Sequence, residues 1–166
     1  MTLEGLDELD RYILHELQQD ARETSSKEIA EAMDVSSSTV RKRIDRLEDE
    51  GVITGYHADV DYGKGGYQLH MQIVCTAPIP DREELGQRAL EIPGVVAVRE
   101  IAAGEDNLLV SVVAKDNDDL TRIAGELSAL GLAVSDEQLV RNDRVTPYRG
   151  FITAEEDAAS SPPPDP

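Results

Sequence analysis

Three segments within the first fifty residues place apolar side chains at helical spacing. The first runs from Asp7 to Gln19. The second begins at Ser25, which has the spacing of a capping box with Glu28. The third follows a turn at residues 34–36 and ends near Gly51. The inward-facing residues are Leu9, Ile13 and Leu17, then Ile29, Ala30 and Met33, then Val40, Ile44 and Leu47. The pattern predicts three helices, followed by a short extended piece over Val52–Tyr56.

After residue 66 the apolar period changes to two, which is typical of half-buried strands. The elements predicted there are a strand over Tyr67–Thr76, a helix over Asp81–Ile92, strands near Val95–Ile101 and Leu108–Ala114, a helix over Asn117–Gly131, and a strand within Leu132–Val140. This β-α-β-β-α-β order is the ferredoxin-like split motif. The predicted fold class is therefore α+β, with an N-terminal helix-turn-helix (winged-helix-like) domain and a C-terminal ferredoxin-like domain.

Glycine clusters and changes in composition suggest the domain boundaries. The predicted domains are a helix-turn-helix domain over residues 1–60, a Gly-rich hinge over 61–66, a ferredoxin-like domain over 67–150, and a disordered acidic Pro-rich tail over 151–166. Helices cover only one face of such a sheet. Because several strands carry apolar residues on both sides, the second face is predicted to be an interface with another subunit.

The net charge of −18, from 34 acidic and 16 basic residues, limits the choice of partners. Two interpretations compete: an acidic protein that avoids nucleic acid, or a protein adapted to high salt, where distant carboxylates are screened. The spread of acid along the chain favours the second, and so a halophilic, archaeal origin. No apolar run is long enough to span a membrane and no secretory signal precedes the first helix. A single cysteine, Cys75, fits a reducing cytoplasm.

The third predicted helix carries a basic cluster, Arg41, Lys42 and Arg43, within this acidic chain. One interpretation is a solvated basic stripe. The other is the recognition helix of a helix-turn-helix, which is favoured by the short preceding helix and the tight turn. The predicted DNA-binding residues are Ser37, Ser38, Thr39, Arg41, Lys42, Arg43 and Arg46. Arg41 and Lys42 are assigned to base edges, and Arg43 and Arg46 to phosphates.

Several runs of residues match one family in order and spacing over about fifty residues. They are Leu6–Leu14, Asp20–Arg22, Glu28–Ala30, Val35–Val40, Arg43–Glu48 and Gly51–Ile53. In these runs the chain resembles the leucine-responsive regulatory protein/AsnC (Lrp/AsnC) family of transcriptional regulators. The resemblance implies binding to double-stranded DNA, dimers formed through the C-terminal sheets, and further assembly into tetramers or octamers.

The resemblance also implies a small effector, usually an amino acid, bound near the turn between the second and third strands. The residues predicted to bind it are Gly104, Glu105, Asp106 and Asn107, with Asn107 at a position where the family favours Asp. An amino-acid ammonium group needs carboxylate or carbonyl acceptors, and backbone amides at a glycine turn suit its carboxylate. An ordinary polar turn explains the same residues equally well.

Other chemistry finds little support in the sequence. The histidines, His15, His57 and His70, fall on different elements, so no metal site and no cofactor is expected. No nucleophile elbow, phosphate loop or catalytic triad appears, and the protein is predicted not to be an enzyme. The leading hypothesis is a sequence-specific, oligomeric DNA-binding regulator. The alternatives are an acidic protein-interaction adaptor that does not bind DNA, and a small-molecule sensor without a regulatory role.

Overall fold

The computed structural model describes residues 5–152. The described residues form two compact units, one from residues 5–58 together with 144–152, and one from Asp59–Asp143. The chain therefore passes between the units twice. No helix within residues 5–152 has both the length and the apolar character that crossing a membrane requires.

The first unit is helical, and each of its helices begins at a capping side chain. Helix α1 (Glu8–Asp20) and helix α2 (Ser26–Ala32) start with reciprocal capping boxes. Helix α3 (Ser37–Asp49) starts where the Ser36 side chain accepts a hydrogen bond from the backbone N–H of Thr39. The predicted helices and the predicted capping box of α2 are confirmed.

A tight turn joins α2 to α3. Asp34 adopts a φ of +50° there, a left-handed conformation that a short polar side chain tolerates. The core of the helical unit consists of Leu9, Ile13, Leu14, Ile29, Ala30, Val40 and Leu47. The extended piece predicted over Val52–Tyr56 is wrong, since these residues form no strand. The N–H groups of Val52 and Ile53 instead both donate to the carbonyl of Leu47 and close the end of α3.

The second unit is an antiparallel sheet with two helices. Its elements are β1 (Leu69–Thr76), α4 (Arg82–Ala89), β2 (Val95–Glu100), β3 (Leu108–Ala114), α5 (Asn117–Ala129) and β4 (Ala133–Leu139). The strand order is β2-β3-β1-β4 and every pair is antiparallel. The predicted ferredoxin-like element order is confirmed.

The two faces of the sheet differ. Met71, Ile73 and Cys75 of β1 pair with Val112, Val110 and Leu108 of β3, and all six are buried in the core with residues of α4 and α5. Because side chains alternate along a strand, the opposite face carries the pairs His70–Val113, Gln72–Ser111 and Val74–Leu109. We call these six residues the open face. Neither α4 nor α5 packs on it.

The carboxyl-terminal boundary differs from the predicted one. Residues 144–152 belong to the helical unit rather than to the sheet domain. Phe151, in a 3-10 turn (Arg149–Phe151), packs against the helical core, and the backbone N–H of Tyr148 donates to the side chain of Gln18. The predicted tail therefore loses its first two residues to the helical unit. Its remainder, residues 153–166, lies outside the described residues. The predicted hinge, residues 61–66, forms a hydrogen-bonded turn at the start of the sheet unit.

Candidate nucleic-acid interface

The start of α3 is organised around the hydroxyl of Ser36. Ser36 Oγ lies 2.8 Å from Ser38 Oγ and 2.8 Å from Thr39 Oγ1. It also accepts from the backbone N–H of Thr39 at 3.1 Å. Ser38 is exposed, whereas Ser37 and Thr39 are half-buried. Of the three predicted hydroxyl residues, Ser38 is thus the most accessible, and Thr39 also serves the helix cap.

Arg41 and Lys42 extend from the exposed side of α3. Within residues 5–152, neither side chain makes a hydrogen bond or an ion pair, although the helix carries other charged groups. Asp45 and Asp49 are exposed on the same helix. The two free cations and the helix start form the surface that we call the recognition face, comprising Ser37, Ser38, Arg41 and Lys42.

Arg43 and Arg46 have a different environment, because both bind carboxylates of α1 and its cap. Arg43 Nη1 donates to Asp7 Oδ2 at 2.5 Å and to Asp10 Oδ1 at 3.1 Å. Arg46 Nη2 donates to Asp10 Oδ2 at 2.5 Å. The Asp10 side chain is only 1% exposed, against 31% for Arg43 and 38% for Arg46. We call these four residues the α1–α3 ion cluster.

The pKa values of the outer pair in this cluster are shifted toward their charged forms. Partial burial opposes ionisation of Asp7, but hydrogen bonds from the backbone N–H of Asp10 and from Arg43 outweigh it and lower the pKa of Asp7 below 3.8. The hydrogen bond to Asp7, with a further contribution from Asp10, raises the pKa of Arg43 above its ordinary value. Two guanidinium groups thus face two carboxylates, and the cluster adds no net charge to the surface of α3.

The sequence analysis missed the two aspartates as partners of α3. A signal was available for Asp10. It occupies a position in the series Leu6, Asp10, Ile13 and Leu17, whose helical spacing otherwise places apolar residues toward the core. A carboxylate in such a stripe requires a cationic partner, because an unpaired buried charge is strongly unfavourable.

The loop between β2 and β3 contains the predicted effector-binding residues. The side chain of one of them, Asn107, is hydrogen-bonded within the fold. Asn107 is 4% exposed. Its Oδ1 accepts from the backbone N–H of Ala77 at 2.8 Å, and its Nδ2 donates to the carbonyl of Ala77 at 2.8 Å. The assignment of Asn107 to a ligand therefore needs correction, since both ends of its amide are used within the fold.

The remaining loop residues are held at the base and exposed at the tip. Arg82 Nη1 donates to the carbonyl of Ile101 at 2.8 Å, and Ser135 Oγ donates to Asp106 Oδ1 at 2.7 Å. Gly104, at a φ of +120°, and Glu105 are exposed. Of the predicted residues, Gly104 and Glu105 are thus open to a ligand, and Asp106 is shared with Ser135.

The other reactive side chains do not converge. Residues 5–152 contain no group of three or more histidine, cysteine, aspartate or glutamate side chains placed to hold a metal ion. Cys75 is buried in the sheet core, where burial and then the charge of Asp106 raise the pKa of its thiol to about 11. This thiol is protonated at neutral pH and is unreactive in the fold.

Comparisons with known proteins agree with this architecture. A family profile described as winged helix-turn-helix DNA-binding matches residues 6–54. The HTH-type transcriptional regulator LrpA of Pyrococcus abyssi is 35% identical over 120 residues, which cover 71% of this chain and 82% of that protein. LrpA1 of Halobacterium salinarum is 35% identical over 140 residues, which cover 84% of this chain and 90% of that protein.

A solved structure matches across both units. The crystal structure of the leucine response regulatory protein LrpA of Mycobacterium tuberculosis aligns with a TM-score of 0.71 and 26% identity, covering 85% of this chain and 96% of that chain. A helix-turn-helix unit with an exposed basic helix, followed by a ferredoxin-like unit, defines a DNA-binding transcriptional regulator. By its relatives, the chain belongs to the Lrp/AsnC family of such regulators.

Proposed function

We propose that this regulator binds double-stranded DNA by inserting the recognition face of α3 into the major groove. The observation that carries the proposal is the pair of exposed cations, Arg41 and Lys42, which have no hydrogen-bonding or ion-pair partner among residues 5–152 and lie beside an exposed helix start. Arg41 is suited to donate to guanine, and Lys42 to guanine or a nearby phosphate. Ser37 and Ser38, at the start of the helix, would lie deepest in the groove.

The sequence predicts phosphate contacts for Arg43 and Arg46, and it places Thr39 among the DNA-binding residues. The hydrogen bonds of these residues favour another role for all three. Arg43 and Arg46 bind Asp10, and the hydroxyl of Thr39 lies at the Ser36 cap. We therefore propose that they orient the recognition helix, while Arg41 and Lys42 make its contacts with DNA.

We also propose that the active species is a homo-oligomer built on pairing of the open face, with further assembly into tetramers or octamers. The support is an antiparallel sheet whose face away from α4 and α5 carries Val74, Leu109 and Val113, of which Leu109 is half-buried and the two valines are buried. Uncovered apolar sheet faces are stabilised by a second subunit. A two-fold dimer would present its recognition helices to half-sites about 34 Å apart, one helical turn of DNA.

An amino acid or related metabolite is the effector that we propose for the loop between β2 and β3. The support is the exposed carboxylate of Glu105 next to the exposed backbone of Gly104. The carboxylate suits an ammonium group and the backbone amides suit a carboxylate. Calorimetric titration with the twenty amino acids tests this proposal. If none binds, the loop is structural and the sheet unit serves assembly alone.

The acidic surface suggests where the protein works. A net charge of −18 is unfavourable for DNA binding in dilute salt, whereas molar salt reduces the Debye length to about 3 Å. We therefore propose that the protein acts in the cytoplasm of a halophilic archaeon. Its similarity to a regulator of Halobacterium salinarum supports this setting.

The DNA-binding proposal is tested by selecting genomic fragments on the purified protein in molar KCl and measuring their affinity by fluorescence anisotropy. Arg41→Ala and Lys42→Ala are expected to weaken binding by about tenfold or more each. Arg88→Ala, an arginine on α4 in the sheet unit, is the matched control and should bind like the wild type. Equal affinities for all four proteins would contradict the assignment of α3.

A further inference from the structure

Asp10 is the one buried carboxylate among the described residues, and the function proposed above leaves it without a direct role. It lies at the third position of α1, where Oδ2 also accepts from the backbone N–H of Asp7 at 3.1 Å. Together with the two arginines, this gives the carboxylate three hydrogen-bonding partners on two elements. Both arginines of α3 thus bind one carboxylate, which is itself held at the start of α1.

The attachment determines the rotation of α3 about its own axis. Arg43 and Arg46 are three residues apart, so their side chains leave the helix on one side. With both bound to Asp10, the helix cannot turn without breaking a charged hydrogen bond. Arg41, displaced by about 200° from Arg43 at 100° per residue, is held facing away from α1, whereas Lys42 lies one turn before Arg46 and next to it on the helix surface.

The attachment also neutralises charge close to the DNA surface. Arg43 and Arg46 are both only partly buried, and without the two aspartates they would add two cations beside Arg41 and Lys42. Cations near phosphates strengthen binding to any DNA sequence, because phosphate contacts carry no sequence information. Because Arg43 and Arg46 are paired with Asp7 and Asp10, they contribute less to the affinity for unrelated DNA.

We propose that Asp10 is a positioning residue that determines DNA specificity, because it orients α3 and withholds Arg43 and Arg46 from DNA phosphates. This inference rests on the proposed recognition face. It predicts a change in the preference for the operator, which simple electrostatics does not produce. Loss of an acidic charge near DNA would ordinarily strengthen binding to every sequence. Loss of Asp10 strengthens binding to unrelated DNA but weakens discrimination in favour of the operator.

The test compares Asp10→Asn with Asp49→Asn, which makes the same charge change at an exposed position of α3. Affinities for a selected operator and for unrelated DNA are measured by anisotropy between 0.5 and 2 M KCl, chosen as roughly the range in which distant charges are screened. We expect the operator-to-unrelated ratio of Asp10→Asn to fall by about tenfold or more. The salt slope on unrelated DNA should change by about 0.9 for each released arginine. Equal behaviour of the two variants would overturn the inference.

Arg43→Gln is a second variant for the case in which Asp10→Asn does not fold. It leaves Asp10 paired with Arg46, and we expect it to preserve the fold. We expect it to lower operator affinity while leaving the salt slope on unrelated DNA unchanged. Lys42→Gln is its control, because Lys42 is the cation of the recognition face that is suited to a phosphate, and it should reduce that slope by about 0.9. A similar reduction with Arg43→Gln would show that Arg43 contacts phosphates and would overturn the inference.

The two proposals fail in different ways. If the wild type selects no DNA, the recognition face is wrong, and the role of Asp10 is wrong with it. If the wild type binds its operator through Arg41 and Lys42 but Asp10→Asn keeps the full operator preference, only the role of Asp10 is wrong. Thermal unfolding of each variant separates these results from loss of the fold.

Discussion

The side-chain amide of Asn107 makes two hydrogen bonds of 2.8 Å with the backbone of Ala77. Its oxygen accepts from the N–H of Ala77, and its nitrogen donates to the carbonyl of Ala77. An asparagine can serve both backbone groups at once, whereas an ionised aspartate offers only acceptors. The residue that the sequence assigns to a ligand thus anchors the base of the loop between β2 and β3 to the end of β1.

We predict that Asn107→Ala lowers the stability of the protein. The substitution leaves a buried N–H and a buried carbonyl of Ala77 without partners, at roughly 1–3 kcal/mol for each group. Chemical denaturation in constant salt measures the loss. Asn142→Ala, at an exposed asparagine of the same unit, is the control and should be close to neutral. Wild-type stability for Asn107→Ala would show that the pair contributes nothing.

A charge placed on the open face should separate the subunits of the oligomer proposed above. Leu109 is half-buried at the centre of that face, and Leu109→Glu would put carboxylates into a two-fold interface. Light scattering should then give the mass of a monomer. Ser128→Glu, on the exposed side of α5, should leave the mass of the assembly unchanged. An intact assembly with Leu109→Glu would place the interface elsewhere.

The lowered pKa of Asp7 predicts a loss of stability in acid. A carboxyl group with a folded pKa below its unfolded value of 3.8 stabilises the fold above that value. The stabilisation disappears as the pH falls through the lower, folded pKa. Denaturation midpoints measured from pH 6 to pH 2 should therefore fall less steeply below about pH 4 in Asp7→Asn than in the wild type. Parallel curves would mean that the pair with Arg43 has no effect on stability.

Cys75 should resist thiol reagents while the protein is folded. Burial raises the pKa of its thiol to about 11, so little thiolate exists at pH 8, and the side chain is inaccessible. Reaction with an aromatic disulfide reagent should proceed only in denaturant. Rapid labelling of the native protein would show that the sheet core opens readily.

Local chemistry predicted most of the fold. Side-chain caps such as Ser25 with Glu28 act over three residues, so the start of α2 was visible in the sequence. Alternation predicted β3 with its observed bounds, Leu108–Ala114. The return of Phe151 to the helical core was not predictable, because a single aromatic residue near the chain end carries no periodicity.

The candidate site was predictable only where it depends on a single helix. The apolar stripe of α3 places Lys42 on the opposite face and Arg41 at its flank, whatever the rest of the chain does, and both side chains are exposed. The partners of Arg43 and Arg46 lie 33 and 36 residues away in sequence, and that of Asn107 lies 30 residues away. Pairings at such separations depend on tertiary structure, which periodicity does not encode.

The claim that α3 reads the major groove is tested most directly by site-specific cross-linking to operator DNA. Ser38→Cys and Ser128→Cys each add one exposed thiol, while native Cys75 stays buried during labelling with a photoreactive group. We predict that light cross-links the label at position 38 to a few adjacent bases, in two half-sites about 34 Å apart. Position 128 should not cross-link. Cross-linking from position 128 but not from position 38 would contradict the account.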